Sequence, residues 1–216
     1  KELPKDSAAF TLMSYNVHGF ADENFDSKVD DFVAYFEQNN LPDVVCFQEY
    51  LRSTESIERI DSLFSKYNKQ ENEEYMNLKL VTYSRYPIIE TGYIKKHGTT
   101  QWCDIVVNKR DTVRIFNNHL YSMSITDDEQ NDIDAGRILA DGERMATILH
   151  RIADNSSLRA THVDTVRSVI AATPYAHVVC GDFNDTPKSY VYRRISKGLN
   201  DAFVEQGRGS GYTFKR

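Results

Sequence analysis

The chain has few of the residues that cross-link small domains. Among its 216 residues there are three cysteines, Cys46, Cys103 and Cys180. An odd number cannot pair completely, and none of the three has the CxxC spacing that would indicate a zinc site. All three lie in apolar, strand-like stretches. We therefore expect three free thiols in the core of one domain, which at this length needs no cross-links.

Long apolar runs and an excess of basic residues are also missing. No stretch reaches the about 20 consecutive apolar residues that a membrane-spanning helix requires. The 26 Lys and Arg residues are outnumbered by 32 Asp and Glu, which gives a formal net charge of −6. This balance argues against a protein that grips long nucleic acid through non-specific charge. Smaller phosphoesters remain open, as does nucleic acid that is bound only locally.

The N-terminus carries no initiator methionine, because the chain begins at Lys1. We expect that the chain has been trimmed and that any targeting segment has been lost. Residues 1–9 are polar and predict a tail, and residues 10–216 predict one domain. Free cysteines are compatible with the cytoplasm, while a trimmed N-terminus leaves a secreted or membrane-tethered parent open.

What the chain does contain is a buried strand that stops abruptly in polar groups. Residues 177–180 (HVVC) are apolar and β-branched enough to predict a strand in a sheet core. Gly181 follows and permits a turn or a close backbone approach. Asp182 and Asn184 are two residues apart, so in extended backbone they point to the same side. Taken alone, this pair is equally explained by an Asx-turn with no further role.

Other predicted strands end in the same way. Each is a mainly apolar or alternating run, and each stops at a polar residue that core packing does not require. Strand ends on a rigid sheet are common places for binding and catalytic sites. The three segments are residues 10–16, 43–49 and 112–119, which end at Asn16, Glu49 and His119.

These strand-end residues fit one reaction. Glu49 is a hard oxygen ligand of the kind that Mg²⁺ prefers, and Asn16 could support the metal or a phosphate oxygen. His119 could donate to a phosphate oxygen or transfer a proton. Asp182 could orient and deprotonate a water molecule. Together they predict metal-assisted phosphoester hydrolysis.

The rest of the chain predicts a mixture of helices and further strands. Residues 102–108 and 112–119 predict a hairpin, and Pro187 is expected to open a short helix over 188–197. The acidic segment 122–136 is expected to be a loop, and the polar segment 68–77 gives no clear assignment. Residues 68–77 and 99–101 also read as abrupt joins, where loop residues could be missing. Helices are predicted over residues 28–40, 53–67, 137–154 and 158–172, the last two separated by Asn155, Ser156 and Ser157.

Taken in order, the motifs resemble those of the endonuclease/exonuclease/phosphatase (DNase I-like) superfamily. Each motif alone is weakly specific, but the ordered set is strong and spans nearly the whole chain. The segments that carry the resemblance are residues 14–19 (SYNVHG), 42–49 (PDVVCFQE), 83–88 (YSRYPI), 118–120 (NHL) and 181–184 (GDFN).

The resemblance implies an α/β, more narrowly α+β, fold: a four-layer sandwich of two mainly antiparallel β-sheets flanked by helices. It also implies Mg²⁺-dependent phosphoester cleavage, with Mn²⁺ as a possible substitute. By motif position, Glu49 resembles the principal metal ligand and Asn16 its neighbour. His119 resembles a phosphate or transition-state contact, Asp182 the residue that activates water, and Asn184 an amide that orients the phosphate.

One family motif is absent from this sequence. Relatives carry a late Asp-His pair after a further strand, and these 216 residues contain no Asp-His dipeptide. Two explanations stand: the natural polypeptide continues past Arg216, or the protein is a degenerate member that binds without cleaving. We favour the first explanation, because the other site positions all keep functional residue types.

Two further residues are candidates for contact with substrate. His18 lies beside Asn16, and the alternative is a loop histidine without a role. Arg85 could bind phosphate, although we favour a structural contact for it. The expected partner is a phosphoester, with nucleic acid, phospholipid and inositol phosphate undecided. No protein partner is evident, and we expect a monomer.

Overall fold

The structure is a computed structural model, and it describes residues 9–21, 27–50, 54–73, 79–95, 98–122, 127–137 and 141–209. The strands are β1 (Leu12–Asn16), β2 (Val44–Tyr50), β3 (Asn68–Glu73), β4 (Lys79–Ser84), β5 (Ile88–Lys95), β6 (Gly98–Val107), β7 (Asp111–Leu120) and β8 (Ala176–Asp182). The helices are α1 (Val29–Gln38), α2 (Thr54–Leu63), α3 (Asp127–Asp134), α4 (Gly142–Ala172), α5 (Tyr190–Ile195) and α6 (Ala202–Gln206), with a 3₁₀ turn at His18–Phe20. Within the described ranges, no helix is both long and apolar enough to cross a membrane.

The strands form two sheets of four strands each. The orders are β1-β2-β4-β3 and β5-β6-β7-β8. Most neighbours are antiparallel, but β1 with β2 and β7 with β8 run parallel. Parallel neighbours end at the same edge of a sheet, so Asn16 pairs with Gln48 and His119 pairs with Asp182. The topology therefore brings four strand ends to one edge of the molecule.

Strand alternation divides the interior into layers. In β2, Val45 and Phe47 pack against the face covered by α1 and α2. Val44 and Cys46, which alternate with them along the strand, pack against residues of the second sheet, such as Ile105. Successive side chains of a strand point to opposite faces, so both faces of β2 are buried.

The second sheet is covered in the same way on its outer side. Phe116 and Leu120 of β7 pack against Val163, Val166 and Ile170 of α4. The order of layers is therefore helices, sheet, sheet, helices. This confirms the four-layer sandwich with mainly antiparallel sheets that the sequence predicts.

A buried amide network joins the two sheets just below the shared edge. Gln48 donates from Nε2 to Oδ1 of Asn117 over 2.7 Å. Asn117 in turn donates from Nδ2 to the carbonyl oxygens of Phe47, at 3.1 Å, and Val81, at 3.2 Å. Both amides are buried, so breaking one partner would leave the other unsatisfied at a cost of about 1–3 kcal/mol. The network therefore holds the two sheets in a defined register.

The loop predicted over residues 122–136 was wrong over residues 127–134, and part of the unassigned segment 68–77 is a strand. Residues 68–73 form β3, an edge strand paired with β4, and residues 127–134 form α3. Charged side chains are common on edge strands, and the polar sequence of β3 is of this type. Its Lys69 lies 2.9 Å from Asp61 and 3.1 Å from Glu71. The abrupt join expected at 99–101 falls inside β6. The local hydrophobic pattern does not predict the pairing of an edge strand such as β3, because its partner strand is a separate segment of the chain.

The break predicted at residues 155–157 was wrong. One helix, α4, runs without interruption from Gly142 to Ala172. Asn and Ser disfavour helix interiors by only about 0.5 kcal/mol each. That penalty is outweighed by the stripe Val163, Val166 and Ile170, whose burial against the second sheet continues the same helix axis.

The start of the last predicted helix was also misplaced. Pro187 lies in a turn, and α5 begins at Tyr190 with Ser189 as its N-cap. The Ser189 hydroxyl accepts a hydrogen bond from the N–H of Tyr192 over 3.0 Å. A serine satisfies an exposed N–H at a helix start, so the cap and not the proline sets the boundary.

The three thiols are free, as the sequence predicts. Cys46 and Cys103 are buried and Cys180 is half-buried. Burial raises the pKa of the Cys103 thiol to about 12. The pKa of Cys46 is raised as well, first by its hydrogen bond with Cys180 and then by burial. The buried thiols therefore stay protonated at neutral pH.

Gly181 should tolerate no side chain. It pairs with Asn118 across the parallel strands, at φ +129°, and an added Cβ would lie 2.0 Å from the carbonyl oxygen of Asn118. We expect Gly181→Ala to lower the free energy of unfolding by at least about 2–3 kcal/mol, measured by chemical denaturation. Gly198→Ala is the matched control, because Gly198 also has a positive φ (+79°) but open space around it. Equal losses in the two variants would contradict the steric argument.

Candidate active site

A distortion in β2 positions Glu49. The pairing of β2 with β4 shifts register between Phe47 and Tyr50, as in a β-bulge. Glu49 lies in this irregularity with φ +52°, a left-handed conformation that is uncommon for residues other than glycine. Such strain costs on the order of 1 kcal/mol or more and is concentrated at functional sites. The Glu49 side chain remains 22% exposed at the edge of the sheet.

One amide joins the two carboxylates of this edge. Asn16 donates from Nδ2 to Oε1 of Glu49 over 2.8 Å and to Oδ2 of Asp182 over 2.9 Å. His119 lies on the other side of Glu49, with Nε2 3.4 Å from the same Oε1. Glu49 belongs to the first sheet, while His119 and Asp182 belong to the second. The four strand-end residues are thus brought into one cluster, which we call the strand-end cluster.

Asp182 and Asn184 do form an Asx-turn, and the turn is part of the cluster. Asp182 accepts through Oδ1 the N–H of Asn184 over 2.9 Å, while its other oxygen bonds Asn16. Asn184 has φ +47° and donates from Nδ2 to the carbonyl oxygen of Leu120 over 2.9 Å. One of its amide N–H groups therefore joins the ends of β7 and β8. The turn and the site are not alternatives.

The structure does not bring Arg85 to the strand-end cluster. Arg85 lies near Asp43 at the start of β2, roughly 20 Å along that strand from Glu49. Its Nε donates to the Tyr67 hydroxyl over 2.7 Å, and its Nη2 to the carbonyl oxygen of Leu41 over 3.1 Å. Arg85 therefore makes the structural contacts that we favoured, and a substrate held at Glu49 would not reach it.

His18 lies next to the cluster through its backbone. Its N–H donates to Oδ1 of Asn16 over 3.0 Å, and its side chain is exposed in a left-handed turn, with φ +44°. This bond fixes the rotation of the Asn16 amide, because it engages the oxygen and leaves Nδ2 for the carboxylates.

The residues of the cluster fit a hard divalent cation. The two carboxylate oxygens that share the Asn16 nitrogen lie within about 6 Å of each other. Mg²⁺ is usually bound by one or two carboxylates, with water and substrate phosphate as its other ligands. Ligation by Asn16 itself would require its amide to turn, because Oδ1 bonds His18. In the part of the chain that the structure describes, no group of three or more His, Cys, Asp or Glu side chains is arranged to hold a metal ion.

A buried cation behind the cluster is not predicted by the sequence analysis. Arg159 of α4 is 1% exposed, and its Nε lies 3.4 Å from Oδ2 of Asp185. The signal was present in the helix pattern, because Arg159 falls on the same stripe as Val163, Val166 and Ile170. An arginine on an apolar stripe needs a buried partner, but the pattern cannot say which one.

A separate apolar groove lies outside the cluster, on the outer face of the first sheet. It is lined by residues of β1 and α1, among them Tyr15, Phe32 and Phe36. Its lining includes neither Glu49 nor Asp182. The groove is therefore separate from the strand-end cluster.

The sequence matches a known family along most of its length. The sequence model of the Endonuclease/Exonuclease/phosphatase family matches residues 13–216. The chain belongs to this family. Membership supports phosphoester hydrolysis as the general reaction, and members of the Endonuclease/Exonuclease/phosphatase family generally use divalent metal ions. A comparison with curated protein sequences gives no match.

Solved structures of similar fold agree with this family assignment. Truncated TDP2 from Caenorhabditis elegans has a TM-score of 0.64 at 18% identity, over 92% of this chain and 70% of that one. A second crystal structure of that protein is matched over 53% of its chain. The human Nocturnin catalytic domain, with a bound sulfate anion, has a TM-score of 0.64 at 14% identity, over 94% and 78% of the two chains.

A third neighbour comes from a bacterium. A β-hairpin deletion mutant of beta toxin from Staphylococcus aureus has a TM-score of 0.59 at 14% identity, over 90% of this chain and 75% of that one. At these identities the likeness concerns the fold alone. The two-sheet sandwich of this Endonuclease/Exonuclease/phosphatase member is therefore shared with DNase I-like proteins.

Proposed function

We propose that this protein is a Mg²⁺-dependent hydrolase that cleaves a phosphodiester or phosphomonoester with an activated water, with Mn²⁺ able to replace Mg²⁺. The observation that carries the proposal is the strand-end cluster, in which Asn16 links the carboxylates of Glu49 and Asp182 across two sheets. His119 completes it, 3.4 Å from Glu49. Residues 166 positions apart in the chain meet here, and core packing has no need of such a polar meeting point.

Each residue has a role that its contacts support. Asp182 orients the attacking water and takes its proton as the new bond to phosphorus forms and the ester bond breaks. The hydrogen bonds from Asn16 and Asn184 hold the Asp182 carboxylate in place. His119 contacts a phosphate oxygen and supports the charge that develops there. Glu49, with Asp182 and Asn16 beside it, would hold Mg²⁺, which supplies positive charge to the phosphate and orients it.

The same cluster would select the class of substrate. Two neighbours of this fold have been solved with an anionic compound bound. These are the human Nocturnin catalytic domain, with a sulfate anion, and TDP2 from D. rerio, with a single-strand DNA product. The net charge of −6 favours a substrate that is held locally at the cluster over a long nucleic acid gripped by charge. Nucleic acid ends, phospholipids and inositol phosphates all present the required phosphoester. We propose that the protein acts on it as a monomer.

A second function is favoured by one observation. The sequence contains no Asp-His dipeptide, which the family resemblance leads us to expect late in the chain. A domain that keeps the sandwich and the cluster but lacks that histidine would bind phosphoesters without cleaving them.

Metal-dependent turnover separates these two functions. The complete gene product is incubated with bis-p-nitrophenyl phosphate after treatment with EDTA, and Mg²⁺ or Mn²⁺ is then added back. We expect release of p-nitrophenol only with added metal, because the cluster has two carboxylates but no strong nucleophile of its own. Abasic DNA, sphingomyelin and inositol phosphates are tested in parallel. A folded protein that binds these compounds and hydrolyses none of them would support the binding domain instead.

A further inference from the structure

Arg159 is the largest fully buried side chain of the described residues, and it lies directly behind the strand-end cluster. Its Nη1 donates to the carbonyl oxygen of Tyr121 over 3.1 Å. Its Nη2 donates to the hydroxyl of Ser156 over 3.0 Å, one turn earlier in α4. Its Nε lies 3.4 Å from Oδ2 of Asp185, which is an ion pair without a hydrogen bond. One guanidinium group thus reaches two loops and its own helix.

The two loops directly follow the strands that carry the second sheet's share of the cluster. Tyr121 follows β7 two residues after His119, and Asp185 directly follows Asn184 in the turn after β8. His119 and Asp182 are paired across these strands, and the Asn184 N–H in the following turn donates to Oδ1 of Asp182. Arg159 is therefore placed to hold the turn that orients the Asp182 side chain.

The arginine acts alongside a direct link between the loops. Asn184 donates from Nδ2 to the carbonyl oxygen of Leu120, next to Tyr121. Asn184 holds this position with φ +47°, a left-handed conformation that asparagine tolerates better than most residues. Asp185 also accepts the N–H of Thr186 over 2.8 Å. The ion pair with Arg159 therefore braces the turn that contains Asn184.

Folding does not by itself call for an arginine here. Arg159 shares its helix stripe with Val163, Val166 and Ile170, where an apolar residue would pack. Burying a guanidinium has a large desolvation cost, and apolar replacement of buried ion pairs is often neutral or stabilising. A charged residue at this position is better explained by what it holds in place than by stability.

We propose that Arg159 is a positioning residue: through Tyr121 and Asp185 it holds in place the turn whose Asn184 N–H orients the Asp182 carboxylate in the strand-end cluster. The expected effect on kcat rests on the proposed hydrolase function. The expected effect on amide hydrogen exchange in the turn does not depend on activity. Arginine can make both hydrogen bonds and the ion pair at once, because its planar fork carries two donor nitrogens in fixed directions and its charge is spread over the whole group. Lysine keeps the charge and loses that geometry.

The test compares Arg159→Lys with Arg151→Lys. Arg151 lies on the same helix and donates to both oxygens of Glu129, at 2.7 and 2.6 Å, so it is a matched control for loss of an arginine fork from α4. Both variants are made in the complete gene product. Amide hydrogen exchange, the unfolding temperature, and kcat and KM for bis-p-nitrophenyl phosphate are measured for each variant.

We expect Arg159→Lys to speed exchange of the Asn184 and Thr186 amides by roughly tenfold, with the amides of β8 little changed. We expect its kcat to fall roughly tenfold or more, with KM within about threefold, because misplaced groups affect the chemical step more than binding. Arg151→Lys should leave the exchange of these two amides and kcat unchanged.

Two results would overturn the proposal. One is unchanged exchange at Asn184 and Thr186 in Arg159→Lys. The other is a loss of kcat that follows only the fraction of unfolded protein, as with any destabilised variant. If the wild-type protein hydrolyses nothing, the proposed function fails, and the exchange measurement alone still decides whether Arg159 holds the loops.

Discussion

Asp182→Asn should lower kcat for bis-p-nitrophenyl phosphate by at least about a hundredfold at saturating Mg²⁺, which corresponds to about 2.7 kcal/mol in the transition state. Asparagine has the same shape but cannot take a proton from water. In addition, asparagine has one acceptor oxygen where Asp182 has two, so it would lose either the hydrogen bond from Nδ2 of Asn16 or the one from the N–H of Asn184, each now 2.9 Å long. The measurement is steady-state kinetics on the complete gene product, with the unfolding temperature recorded for each variant.

Asp201→Asn is the matched control for this change. Asp201 also accepts backbone N–H groups, those of Phe203 and Val204, but it does so at the start of α6 and away from the strand-end cluster. Asparagine is an equally good residue at a helix start, so we expect activity within about twofold of wild type. Retention of more than a third of the wild-type rate by Asp182→Asn would show that water activation does not depend on this carboxylate.

Glu49→Gln should remove the response to Mg²⁺. We expect at least about a hundredfold loss of activity, because the neutral amide is a far poorer ligand for a hard cation than a carboxylate. A readout without catalysis is available: Mg²⁺ should raise the unfolding temperature of the wild type, since a ligand that binds only the folded state stabilises it. The variant should show no such shift at the same metal concentrations.

Glu49→Gln should not destabilise the metal-free protein. The carboxylates of Glu49 and Asp182 share the single donor nitrogen of Asn16, so neutralising one of them relieves repulsion between like charges. Glu71→Gln is the control, because Glu71 pairs with Lys69 and Lys79 on the same sheet but outside the cluster. It should keep the full response to Mg²⁺. A normal metal shift in Glu49→Gln would show that this residue is not a ligand.

The strand ends were predictable because their signal is local. A buried apolar run followed by a polar residue, as at Cys180 to Asp182, shows both the strand and its end within a few residues. The continuity of α4 and the pairing of β3 were not predictable in this way. Their stability comes from partners distant in the chain, which outweigh weak local preferences against helix or strand.

In the candidate site, too, the residues could be predicted from the sequence but their conformation and partners could not. Residue type and motif order indicate Asn16, Glu49, His119 and Asp182, but no pattern along the chain shows that Glu49 takes a left-handed conformation in a bulge. The pairing of Arg159 with Asp185 was equally hidden, since the arginine is one residue on an otherwise apolar stripe. The conformation of a strained residue and the partner of a buried charge both depend on neighbours in space.

The sequence by itself determined the family, because the order of its motifs can be followed along the chain, and the resemblance to that family implied the sandwich of two sheets. It also determined the set of polar residues at the strand ends, because an apolar run and the polar residue that ends it are neighbours in the chain. Only the tertiary structure decided which carboxylates accept hydrogen bonds from the same donor group. It shows that one amide of Asn16 bonds carboxylates that are 33 and 166 positions away. That arrangement is created by packing two sheets face to face, and the strand ends meet because parallel neighbours finish at one edge.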